Sequence, residues 1–112
     1  MAYLVKKMND LLEQKVYLST LFSYYGALLT DKQQAMFKAY YEEDYSLAEI
    51  GEAFSVSRNA VYDSLKQATS KLIQFEEALH LVAKDEARNA IYEKYTKEGT
   101  KEELIKELKE ME

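Results

Sequence analysis

Five side chains between Ser57 and Lys66 have the types and the spacing to contact a nucleic acid. Arg58 is a bidentate donor suited to guanine, and Asn59 carries the paired donor and acceptor that adenine accepts. Tyr62 and Lys66 follow one and two helical turns after Arg58, so they share its face and can reach phosphates. Ser57 stands before them as a helix N-cap. Against this contact, Asp63 lies on the same outer face and Glu49 and Glu52 lie just upstream. Residues 46–74 are net neutral, so their counterion-release contribution is small. A protein-docking use of the same surface is therefore the competing reading.

Other chemistry has little to build on. There is no Cys, which excludes disulfides, iron–sulfur clusters and thiol nucleophiles. The single His80 has Glu76, Glu77 and Lys84 as its helical neighbours and reads as a surface histidine. Glu42, Glu43 and Asp44 are consecutive, so their carboxylates point in different directions and suit a solvated helix end better than a metal cage. No Gly-rich phosphate loop and no Ser-His-Asp set is present. The sequence is expected to be non-enzymatic, with no cofactor and no catalytic residue.

Those residues need helices to position them. The chain has 112 residues with no Pro and three Gly, too few turn formers for a β-rich fold. Hydrophobic residues make up 47%, enough for a core, and no apolar run approaches a membrane span. Without a signal-like segment or Cys, the cytoplasm is the expected location and no membrane insertion is expected. The fold class is all-α, with residues 1–112 as one domain and 101–112 as a candidate separate terminal helix.

Capping boxes divide the chain at Thr30–Gln33, Ser46–Glu49 and Thr100–Glu103. They predict a first helix from about Asn9 to Leu28 using Leu11, Val16, Leu18, Phe22, Tyr25 and Leu29. A second runs from Asp31 to about Glu42 with Ala35, Met36, Ala39 and Tyr40 facing in, and a third from Leu47 to Phe54. A fourth, from Arg58 to about Ala83, carries Val61, Leu65, Ala68, Leu72, Phe75, Leu79 and Val82 at alternating steps of four and three. A fifth spans about Asp85 to Glu98.

The run Ser46–Leu65, SLAEIGEAFSVSRNAVYDSL, thus reads as a helix-turn-helix, with a core at residues 46–70. Gly51 supplies the small residue where the second helix crosses the first. Phe54 and Val56 fill the angle, and Ala60, Val61 and Leu65 face inward. The turn position that usually takes Gly, because φ is positive there, is Ser55, which counts against the motif.

With these motifs in place, the segment Tyr24–Gln67 resembles the YlxM family of small bacterial helix-turn-helix proteins, above all in LLTDKQ, YYEEDYSLAEI and VSRNAVYD. The likeness extends loosely from about Val16 to Leu81; residues before about Glu13 fit the pattern less clearly, and Met8 offers an alternative start. The resemblance implies a sigma-region-4-like helical fold and a cytoplasmic protein. It also implies a regulatory or accessory role in the signal recognition particle pathway, with a partner in the protein-export machinery. The nucleic acid expected at the motif is DNA, as for a transcription regulator, or the structured RNA of the particle, and the competing partner is the particle GTPase. It implies no catalytic residue.

The far half of the long apolar seam, Leu72, Phe75, Leu79 and Val82, needs a surface to cover it. The C-terminal helices can do so, or a second subunit, and the expectation is a homodimer in which the first helix takes part. Ten tyrosines and no Trp add aromatic area. Tyr17, Tyr24, Tyr25, Tyr40 and Tyr41 suit an interface or the stacking of unpaired bases, or else rim the core. The net charge is −5, distributed as +1 over residues 1–30, −2 over 31–45, 0 over 46–74 and −4 over 75–112. The acidity sits mainly in the tail, so it argues for a selective contact by the motif and not for a bar to contact.

Overall fold

Polar residues that satisfy backbone N–H groups fix where these helices begin. In the computed structural model, which describes residues 2–97 and 99–111 with the side chains of 3–13 excepted, Thr30 and Ser46 each form a complete capping box. Thr30 Oγ1 accepts from the Gln33 N–H at 3.1 Å while Gln33 Oε1 accepts from the Thr30 N–H. Ser46 and Glu49 do the same at 3.0 Å. Thr100 accepts from the Glu103 N–H at 3.3 Å.

The described residues form helices and connectors, with no strand among them. α1 spans Ala2–Tyr25 and ends in a 3₁₀ turn, Gly26–Leu28. α2 spans Asp31–Phe37 and continues as one π-helical turn, Lys38–Glu42. α3 spans Leu47–Phe54, α4 Arg58–Leu79, α5 Leu81–Lys97 and α6 Lys101–Glu110. The chain divides into two compact units, Met1–Ala78 and Leu79–Glu112. No helix of the described residues is long and apolar enough to cross a membrane.

The core of the first unit has two connected parts. Met36, Ile50, Val61 and Leu65 are buried together, with Leu47, Phe54, Val56, Ala39 and Tyr41 packed around them. This is the helix-turn-helix core, and Phe54 and Val56 fill the angle as the sequence predicts. Alongside, Leu21, Tyr25, Phe37 and Leu72 are almost completely buried. The Phe22 and Phe37 rings stack at 4.4 Å between centroids, joining α1 to α2. Tyr25 packs on Phe75 at 5.9 Å, and its hydroxyl donates to Glu76 Oε1 at 2.6 Å.

Several inward assignments change. Val16, Ala35, Tyr40 and Ala60 are exposed, while Leu21, Gln33 and Phe37 are buried. Small or single apolar residues carry little phase information; the aromatic stacking of Phe22 on Phe37 sets which side of α2 turns inward. The side chain of Leu11 lies outside the described ones. The expected run of α4 to Ala83 is also corrected, because the helix stops at Leu79 and His80 adopts a left-handed conformation, φ 55°.

In the second unit, Lys94 on α5 pairs with Glu107 on α6 at 3.1 Å. This ties the candidate terminal helix of residues 101–112 to its neighbour. Gly99, between α5 and α6, has φ 110°, and a Cβ there would run into the Tyr95 ring. Glu98, the expected last residue of the fifth helix, lies outside the described residues.

Candidate nucleic-acid interface

The turn between α3 and α4 aims the candidate side chains. Gly51 is buried at the crossing, and a Cβ built there would lie 2.7 Å from the Val56 carbonyl oxygen and 3.3 Å from the Ser57 carbonyl carbon. Only glycine lets α3 approach the start of α4 this closely. Ser55 carries the positive φ that the sequence anticipates at this position, φ 58° and ψ 39°. The Val56 N–H then returns to the Gly51 carbonyl at 2.9 Å, closing the helix end.

α4 starts from Ser57, whose Oγ accepts from the Ala60 N–H at 3.0 Å. Ser57 therefore serves as the cap. Arg58, Asn59, Tyr62 and Lys66 are all exposed and line one groove of about 540 Å³. Leu65 and Thr69 continue the α4 wall, Leu47 comes from α3, and Tyr40 and Tyr41 come from the π turn. Ala60 and Asp63 are exposed and not among the lining residues.

The π turn explains how two adjacent tyrosines reach this groove. Its hydrogen bonds span five residues, as in Glu43 N–H to the Lys38 carbonyl at 2.9 Å. The widened turn leaves Tyr41 half-buried on Phe37, 4.5 Å between centroids, with Tyr40 edge-on to Tyr41 at 5.0 Å. Burial, followed by the neighbouring Tyr40, holds the Tyr41 hydroxyl proton above the ordinary phenol range. Glu43, Asp44 and Tyr45 lead away from the turn; Asp44 takes φ 58° and is held by Lys15 at 2.8 Å.

Charge is separated over this surface. The described residues lining the groove include two cations, Arg58 and Lys66, and no carboxylate. Of the three acids that neutralise residues 46–74, Glu49 and Glu52 line another groove with Glu43, Ile50 and Phe54, and Asp63 is exposed on α4 outside both linings. The Glu49 carboxyl is held below its usual range by the Ser46 backbone N–H it accepts from.

A family profile described as "UPF0122: Putative helix-turn-helix protein, YlxM / p13 like" matches residues 12–111. The chain belongs to this family. UPF0122 protein YofM of Lactococcus lactis subsp. lactis is 45% identical over 95 residues, covering 84% of this chain and 86% of that protein. A UPF0122 protein of Mycoplasma capricolum is 42% identical over 108 residues, covering 96% of each chain. UPF0122 protein BH2485 of Halalkalibacterium halodurans is 42% identical over 99 residues, covering 85% of this chain and 91% of that protein.

For this family member, the sequence places Arg58, Asn59, Tyr62 and Lys66 on one face but does not connect them to Tyr40 and Tyr41. The available signal is the adjacent tyrosine pair at the end of a capped helix; nothing in the residue types announces a π turn. The four seam residues are not on one helix. Leu72 is buried in the first unit, Phe75 packs on Tyr25, Leu79 is exposed, and Val82 is buried on α5 beyond the break at His80.

Proposed function

We propose that this protein is a non-enzymatic, nucleic-acid-binding accessory factor of the signal recognition particle pathway. The helix-turn-helix family supports a nucleic-acid contact in general, and the resemblance in sequence supplies the pathway. The observation that carries the contact is the segregation of charge, with Arg58 and Lys66 beside Asn59 and Tyr62 on α4, and Tyr40 on the π turn, lining a groove without carboxylates. Arg58 and Lys66 would take phosphates, and Asn59 a base edge.

Two cations set the scale. Binding through two phosphates weakens only about tenfold between roughly 50 and 200 mM salt. Labelled particle RNA, a nonspecific DNA duplex and the particle GTPase are titrated with purified protein at both salts. Nucleic-acid binding with this shallow dependence, lost in Arg58→Ala and Lys66→Ala, supports the reading. Binding to the GTPase alone, unchanged in Arg58→Ala, replaces it with a docking module. The acidic second groove, with Glu43, Glu49 and Glu52 beside Ile50 and Phe54, is the surface that favours this alternative.

Self-association belongs to the same proposal. Val16, Tyr17, Tyr24 and Leu28 present apolar or aromatic surface on α1 and the turn after it. These residues of the first unit support a homodimer in place of an unbroken seam.

A further inference from the structure

We infer that the groove between the π turn and α4 is a binding slot for an unpaired purine nucleotide. This rests on the nucleic-acid reading above and narrows it to a base that has left its stack.

The groove is concave, of about 540 Å³, within the usual range of small-ligand sites. A recognition helix that enters a duplex groove must project beyond its surroundings. Here Tyr40 and Tyr41 stand beside the same face of α4 and make it one wall of a cleft. A cleft of this volume has room for a single extruded base.

Its chemistry also matches a free base. Tyr62 is 54% exposed on α4 and Tyr40 36% exposed on the π turn, so aromatic surface comes from both elements. Leu47 and Leu65 add apolar lining. Tyr40 is supported by a continuous run of ring contacts through Tyr41 and Phe37 to Phe22. That support fixes the platform before binding, which lowers the ordering cost of a stack. Arg58 and Asn59 each match the two-point edges of purines, guanine for the first and adenine for the second.

Magnitudes point the same way. Two phosphate contacts are few beside the six to ten, roughly, that make duplex binders tight and steeply salt-dependent. Stacking adds a sequence-tolerant contribution from each base that does not come from counterion release. A surface poor in cations and rich in tyrosine therefore gains more from one unstacked base than from a paired backbone.

The test uses the full chain and a short pyrimidine strand, made as RNA and as DNA, carrying at one position 2-aminopurine to report stacking, or adenine or guanine to offer the purine edge, with an all-pyrimidine strand expected to bind more weakly. The same strands annealed to complements, and strands lacking that one base, serve as comparisons. The expected result is binding with a change in aminopurine emission, and weaker binding of the duplex. Tyr40→Ala and Tyr62→Ala each weaken single-strand binding about 5- to 100-fold, while Tyr40→Phe and Tyr62→Phe retain it. Removing the base weakens the wild type by a similar factor and adds nothing in Tyr40→Ala. The RNA and DNA arms identify the sugar. Equal binding of duplex and single strand, unaffected by either alanine, overturns the slot and leaves the nucleic-acid reading standing. Absence of binding to any strand overturns both.

Discussion

Replacing Gly51 with alanine sets two effects of opposite sign against each other. Gly51 lies inside α3, where alanine is favoured over glycine by about 1 kcal/mol. A helix judged by propensity alone would become more stable. The added Cβ, however, would meet the Val56 carbonyl oxygen at 2.7 Å, the Ser57 carbonyl carbon at 3.3 Å and the Arg58 nitrogen at 3.4 Å. All three are backbone atoms of the turn, so no side chain can rotate away. Overpacking against a fixed surface costs about 1–3 kcal/mol, and a contact this short belongs near the upper end. The net expectation is destabilisation by roughly 2 kcal/mol, or a fall in Tm of about 8–16 °C for a unit of this size. Urea unfolding followed by circular dichroism measures it, with the m-value confirming that the same transition is compared. An unchanged or raised midpoint would refute the close crossing as the reason for glycine. Where the variant remains folded, α4 moves away from α3, and nucleic-acid binding falls without any change to Arg58 or Lys66.

Other substitutions test separate parts of the argument. Ser55→Gly relieves the left-handed backbone at φ 58°, and after glycine's own entropy cost the gain is about 0.5–1 kcal/mol, seen as a higher urea midpoint. Tyr25→Phe removes the hydroxyl bond to Glu76 and costs about 1 kcal/mol in the same assay; no loss would show that the bond contributes nothing net. Glu49 has a lowered folded-state pKa, so its cap stabilises at pH above the unfolded value of 4.5 and is lost as pH falls through the lower folded value. Glu49→Gln should flatten that part of the stability–pH curve, and an unaltered curve would place the acid sensitivity elsewhere. In solution at micromolar concentration the mass should be twice 13.0 kDa, falling toward the monomer in Val16→Glu; a monomeric wild type removes the dimer.

The helix-turn-helix was legible because its determinants are local. Each cap is a side chain three residues from its partner, and Gly51, Phe54 and Val56 act within one turn of where they stand. Ser55 in place of glycine counted against the motif, yet it takes the left-handed turn conformation itself, at φ 58°. The features that the residues did not disclose depend on partners distant in sequence. The inward phase of α2 follows Phe37 meeting Phe22, which the apolar spacing of α2 alone does not specify. The apparent seam through Val82 had faultless spacing, yet periodicity is blind to a single left-handed residue, and His80 ends α4 inside it. Charge counting failed in another way. Residues close in the chain, such as Glu52 and Arg58, open onto different grooves, so a neutral segment carries a groove whose charged lining residues are cations alone.

A π turn is an α-helix that has taken up one residue too many, and each residue of an α-helix advances about 100° around the axis. The Lys38–Glu42 turn is therefore a phase shifter placed between two segments that are each held in register by other contacts. Deleting one residue there would rewind the segment to ordinary helix and swing the residues after the deletion by about 100°. The capping boxes on either side would remain intact, yet the tyrosine wall would face elsewhere. Loss or gain of the groove is thus a one-codon event, separable from the stability of the helix-turn-helix beside it.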